Sequence, residues 1–137
     1  MSYDVRFDAT ARALVFVPAG APAFEHWEGP RHLFVAAGLQ DPARWQGLIG
    51  RQPPFAPALA FGLRCATLDV GGCREAFLLE AHDPHHVLLG TLFLGLSDDE
   101  IERFETHLLD DGLRRRVALE VVVGDRRVPA FGYLRRG

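Results

Sequence analysis

The stretch VLLGTLFLGLSDDEIERFETHLL, from Val87 to Leu109, decides the reading of this chain, because the period of its apolar residues changes halfway along. Its first half is an apolar run of strand length, closed by Gly95. The second half opens with Ser97-Asp98-Asp99-Glu100, a capping box in which Ser97 can accept from a free backbone N–H while Glu100 reaches back to the cap. Ile101, Phe104, Leu108 and Leu109 then recur at helical spacing, a single stripe for one buried face. The stretch is a strand feeding a short helix.

Working outward, the chain is rich in strands. They are expected near residues 14–17, 32–36, 59–68, 74–81, 87–94, 115–123 and 128–134, with turns at Gly71-Gly72, Asp83-Pro84 and Gly124-Asp125. A second helix is expected after Asp41 as N-cap and Pro42 at its first position, with Trp45, Leu48 and Ile49 on one face and Gly50 as its stop. Prolines 53, 54 and 57 remove backbone donors, so residues 52–57 read as a loop. This order of elements implies an α+β fold, a small, mostly antiparallel β-barrel or curled sheet with two short helices. Residues 1–30 read as an N-terminal extension with one short strand, ending in the turn at Glu28-Gly29-Pro30, and residues 31–137 as the main domain.

The 137 residues, 48% of them hydrophobic, can bury a core without disulfides or metal. A net charge of −3 with interspersed signs leaves no basic face for nucleic acid or anionic lipid. All fifteen basic residues are arginine, which excludes a lysine Schiff base. Cys65 and Cys73 form no CxxC pattern and read as free, packed thiols. The apolar patch at residues 13–17 is too short for a leader or a membrane span and is flanked by Asp4, Asp8, Pro18 and Pro22, so a cytoplasmic location is expected.

Glu105 stands out because it lies inside the apolar stripe, four residues after Ile101 and three before Leu108. A carboxylate in apolar surroundings must find donors, change its protonation, or border a cavity. Such a group suits general acid and base chemistry. Periodicity alone favours a boundary residue whose stem packs while its head reaches water. Other constellations favour structural readings. His82, His85 and His86 beside Asp83 fit a polar turn better than a zinc site, and His107 points away from Glu105. Alternation separates Arg115 from Arg114 and Arg116 along a solvated strand edge. Cys65, Trp27 and Trp45 suit packing.

The order of features resembles the γ-glutamylcyclotransferase-like family, which includes the AIG2-like proteins. The resemblance runs from about Arg31 to the C-terminus. Leu33-Phe34-Val35 leads into Ala36-Ala37-Gly38-Leu39, where family members carry a Tyr-Gly-Ser/Thr-Leu-type loop. Gly90-Thr91-Leu92-Phe93 matches a Gly-x-Leu-Phe strand, Phe104-Glu105 an aromatic-Glu pair, and Ala130-Phe131-Gly132-Tyr133 a closing Ala-x-x-Tyr. Here Ala36 replaces the family's tyrosine and Gly38 its small hydroxyl residue.

The resemblance implies cyclisation of a small γ-glutamyl compound to 5-oxoproline with release of an amine or amino acid, without a cofactor or a metal. Glu105 would be the acid and base. Ala37, Gly38, Leu39 and Gln40 would hold the substrate through backbone N–H groups, and Tyr133 would complete its site. The expected partner is a γ-glutamyl substrate or another carboxylate ligand, with no nucleic acid or membrane; a homodimer is compatible with the sequence. Two alternatives stay open: a non-catalytic ligand-binding protein on the same scaffold, motivated by the altered loop, and an oligomeric module using residues before Arg31 as an added strand.

Overall fold

The computed structural model describes residues 3–28, 31–36, 42–108 and 112–135. Nine strands and two helices follow one another as β1 (Tyr3–Asp8), β2 (Ala13–Pro18), β3 (Leu33–Val35), α1 (Pro42–Ile49), β4 (Phe55–Phe61), β5 (Leu63–Val70), β6 (Cys73–Glu80), β7 (Val87–Phe93), α2 (Asp98–Leu108), β8 (Arg114–Val123) and β9 (Arg126–Arg135). Five of the strands close on themselves: β4 pairs β7, β7 pairs β3, β3 pairs β9, β9 pairs β8, and β8 returns to β4. The fold is therefore a closed five-stranded β-barrel with added strands and two short helices. Two hairpins extend it, β1–β2 through Phe16 opposite Phe55, and β5–β6 through Leu78 opposite Leu134. Only the β3–β9 and β6–β9 pairs are parallel among the described strands.

The barrel encloses one apolar cluster, with Phe34, Ala58, Leu92 and Val121 at its centre. The small Ala56, Ala58 and Ala60 on β4 leave space for the larger Phe34 and Leu92. Gly90 is part of that fit: a Cβ there would stand 2.5 Å from the Val35 carbonyl oxygen and 2.6 Å from the Phe34 ring. The second cluster lies outside the barrel, where Leu33, Val35, Phe93, Phe131 and Tyr133 meet Trp45 of α1 and Phe104 of α2. Trp45 stacks on Phe104 with centroids 4.9 Å apart and leans on Phe93 at 4.3 Å. β3 is buried on both faces for this reason, Phe34 pointing into the barrel and its neighbours toward the helices.

The helix at the centre of the sequence reading has the expected start. Ser97 Oγ accepts from the Glu100 N–H at 3.2 Å, and the Ser97 N–H donates to Glu100 Oε1 at 2.9 Å. Ile101 and Phe104 are buried, as their stripe requires. Asp41, Leu109, Gly29 and Pro30, to which caps, stripe or turn were assigned, lie outside the described residues.

Three expectations need correction. β1 was overlooked although Tyr3, Val5 and Phe7 alternate with Asp4, Arg6 and Asp8, because a strand with so many charges has a weak apolar signal. Residues 55–57 are strand rather than loop: Pro57 falls where the outer edge of β4 passes from β2 to β8 in the register, so its missing N–H removes no bond there. The run 59–68 is two strands. Gly62, at φ +76°, takes a conformation that L side chains avoid and turns the chain from the barrel into the β5–β6 hairpin. None of the described helices is long and apolar enough to cross a membrane.

Candidate functional site

The capped start of α2 fixes its rotation, and that rotation directs Glu105 toward the β8–β9 pair. On β9, Phe131 and Tyr133 share the face turned to the helices. On β8, Arg116 stands directly opposite Tyr133 in the antiparallel register and so reaches the same face. Its guanidinium rests over the Phe131 ring, 4.6 Å from the centroid, a cation–π contact that holds its direction. The three side chains converge on one oxygen: Glu105 Oε1 accepts from the Tyr133 hydroxyl at 2.9 Å and from Arg116 Nη1 at 3.2 Å.

The Glu105 side chain keeps 28% of its surface exposed, so the carboxylate is sheltered without being sealed. Tyr133 is buried. Burial first, then the hydrogen bond and negative charge of Glu105, push its hydroxyl far above the usual tyrosine range, against the opposing effect of Arg116. The phenol therefore stays protonated and remains a donor. Both described donors land on Oε1, which leaves Oε2 without a donor among the described residues.

Tyr133 also walls a small cavity together with Phe34, Val35, Ala36, Ala76, Leu78 and Arg114. Its volume of about 20 Å³ suits one water molecule. Val35 and Ala36 set it beside the end of β3; Ala37, Gly38, Leu39 and Gln40, which follow in the sequence, lie outside the described residues. Of the residues singled out in the sequence, the structure thus brings Glu105 to Tyr133, and Tyr133 to Ala36. Arg116 was missed as a partner of Glu105. Alternation did separate Arg115, which reaches Glu80 at 3.5 Å, from its neighbours. It could not reveal that Arg116 faces Tyr133, which depends on the register of a strand pair. Nor did it reveal that Arg114 rests over Phe77 at 4.3 Å and donates to the Ala76 carbonyl at 3.2 Å.

Other groups show structural surroundings. His82, His85 and His86 are exposed at a turn in which Asp83 accepts the His85 N–H at 2.9 Å. Among the described residues, no three His, Cys, Asp or Glu side chains gather as metal ligands. Burial pushes the Cys65 thiol up, away from the thiolate a nucleophile needs. A larger open cleft of about 450 Å³ lies beside the β1–β2 hairpin, far from this chemistry. Its Asp8 is already occupied by the Thr10 and Ala11 N–H groups, each at 2.9 Å, and by Trp27 Nε1 at 3.2 Å, so size alone does not make it the site.

No family model and no curated protein matches this chain. Solved structures do. At3g28950.1 from Arabidopsis thaliana, known from a solution structure, is similar with a TM-score of 0.63 and 23% identity over 77% of this chain and 61% of its own length. At5g39720.1, also a solution structure from Arabidopsis thaliana, gives 0.64 and 19% over 77% of this chain and 68% of its own. YkqA from Bacillus subtilis, a crystal structure, gives 0.64 and 18% over 80% of this chain and 41% of its own. At these identities the likeness concerns the small β-barrel fold alone, and this chain spans only part of each of these proteins.

Proposed function

We propose that this chain is a γ-glutamylcyclotransferase-like protein that cyclises a small γ-glutamyl compound to 5-oxoproline and releases an amine or amino acid. The observation that carries the reading is the sheltered Glu105 carboxylate, held at one oxygen by Tyr133 and Arg116, with Tyr133 shared by a cavity at the end of β3. In this reaction the free α-amine attacks its own γ-carbonyl. The new C–N bond closes the five-membered ring, and the original γ-amide C–N bond breaks. Glu105 takes the proton from the attacking amine and delivers it to the departing nitrogen, so one carboxyl serves in both directions and returns to its starting state.

Fixing Oε1 suits this role, because a base must be aimed before the substrate arrives. The backbone N–H groups of Gly38, Leu39 and Gln40 are the proposed donors to the glutamyl group or to the oxyanion that develops on its carbonyl. Release of 5-oxoproline from a panel of γ-glutamyl amino acids and γ-glutamyl amines tests the proposal. Turnover by the natural protein and its loss in Glu105→Gln are expected; equal turnover by both would remove Glu105 from the mechanism.

The altered loop, with Ala36 and Gly38 where the family carries a tyrosine and a small hydroxyl residue, favours a second reading, a carboxylate-binding protein without turnover. It predicts a higher melting temperature with a γ-glutamyl compound and no product. Sustained 5-oxoproline formation would eliminate it.

A further inference from the structure

At one end of the sheet, β1 pairs only with β2 among the described strands, which leaves its other edge without a strand neighbour. Such edges are commonly guarded by lysine, proline or a covering element. Here the chain contains no lysine and β1 no proline. Its outward face is apolar, with Val5 54% and Phe7 67% exposed and Leu14 of β2 also exposed opposite Phe7. The charged residues Asp4, Arg6 and Asp8 alternate with these on the other face. Among the described side chains of β5, at the opposite end of the sheet, none is a large exposed hydrophobic residue.

We propose that β1 is the pairing edge for a second copy of this chain, joined antiparallel about a two-fold axis through Val5. A two-fold axis perpendicular to the sheet requires each residue to meet one of the same face, so the axis must pass through a residue position. Centred on Val5, the register sets Val5 against Val5, Tyr3 against Phe7, and Asp4 against Arg6, the last two twice by symmetry. Apolar side chains then meet on one face and opposite charges on the other. Centring on Arg6 would set Arg6 against Arg6 and Asp4 against Asp8. Centring on Asp4 would oppose the two Asp4 carboxylates.

A Phe7 centre also matches charges, but β1 ends at Asp8, so it retains only three residue pairs where the Val5 centre retains five. It would also draw on Asp8, whose carboxylate already holds the turn and Trp27. Asp4 and Arg6 are engaged with each other at 3.5 Å, Asp4 also accepting from the Gly20 N–H at 3.5 Å, and these longer contacts can exchange partners across the axis. The charges on this edge therefore select a register rather than simply repel a neighbour. The occupant is another copy of the chain because one short segment supplies both halves of the complementarity.

Sedimentation velocity across a concentration series tests this with exposed positions, and circular dichroism confirms that each variant is folded. The natural protein is expected to dimerise. Val5→Arg places two like charges together at the axis and should yield monomer. Asp4→Arg creates two Arg–Arg oppositions and should weaken the dimer by about tenfold. Adding Arg6→Asp to it restores opposite charges and should restore the dimer. A natural protein that stays monomeric, a dimer unaffected by Val5→Arg, or a double variant no better than Asp4→Arg would each overturn the proposal.

Discussion

Two glutamates five residues apart on α2 each meet an arginine, yet they serve different ends. Glu100 is held by Arg51 through both oxygens, at 2.6 and 2.7 Å, and closes the capping box with Ser97. Its side chain is only 12% exposed, and its bonds to Arg51 tie the start of α2 to the segment just after α1. Glu105 meets one nitrogen of Arg116 and the Tyr133 hydroxyl, both at the same oxygen, and retains more contact with solvent. Full use of both oxygens makes Glu100 a fixed joint. Partial use leaves Glu105 with one oxygen that the described residues do not engage. A charge at the surface of a helix is thus not informative by itself; what matters is how much of its acceptor capacity the fold consumes.

The largest expected effect would separate the two by activity. Glu105→Gln should lower kcat/KM for 5-oxoproline formation by about 10²- to 10⁴-fold, the usual worth of a general acid–base group, while stability changes by less than about 1 kcal/mol. A loss of stability as large as the loss of activity would make Glu105 a second joint and erase the contrast. Arg51→Ala should do the reverse, costing about 1–2 kcal/mol in denaturant unfolding because it removes two charge-assisted bonds from a partly exposed pair. If Arg51→Ala left stability unchanged, the role given to Glu100 would be wrong.

Acid titration sharpens the same distinction. Burial acts to raise the Glu100 carboxyl, but its bonds to Arg51 and Ser97 outweigh it and hold the group below the ordinary value of 4.5. Below that pH the unfolded chain takes up a proton that the folded chain resists, so stability falls as pH drops through the folded-state value. Arg51→Ala should flatten this fall. A second loss begins higher. Burial lowers His32 from 6.5, although its carbonyl partners at Trp27 and His26 oppose the shift, so stability also declines as pH drops below 6.5. In that neutral ring Nε2–H donates to the Trp27 carbonyl at 3.2 Å and Nδ1 accepts from the Gly95 N–H at 3.1 Å. An unfolding free energy with no slope between pH 7 and 3 would contradict both assignments. The smallest effect is expected for Tyr133→Phe, about 1 kcal/mol in stability for one hydrogen bond, together with a weaker hold on Glu105 that should appear as reduced turnover. Full turnover by this variant would show that aiming Oε1 is unnecessary.

Much of this molecule could be read from its local patterns. Ser97 and Glu100 announced the start of α2, Ile101 and Phe104 its buried face, and Gly71-Gly72 and Gly124-Asp125 the turns between strands. These features depend on residues within a few positions of one another, where steric preference, capping and periodicity act directly. β1 was harder because its charges dilute the alternation, and the break at Gly62 because one glycine inside an apolar run can be either a strand residue or a corner. The resemblance at Phe104-Glu105 and at Ala130-Phe131-Gly132-Tyr133 named Glu105 and Tyr133 for one site, yet no local rule joins positions 28 residues apart.

By itself, then, the sequence determined that a capped helix would carry a glutamate in its apolar stripe among the strands of a small α+β barrel or curled sheet. The tertiary structure decided which donors that glutamate would meet. Tyr133 and Arg116 reach it only because β8 and β9 pair in one register and α2 packs on one side of the closed barrel, and such choices are settled by burial and hydrogen bonding over the whole sheet. The same closure decided that Glu100, one turn and a half away, would be spent on holding the helices together.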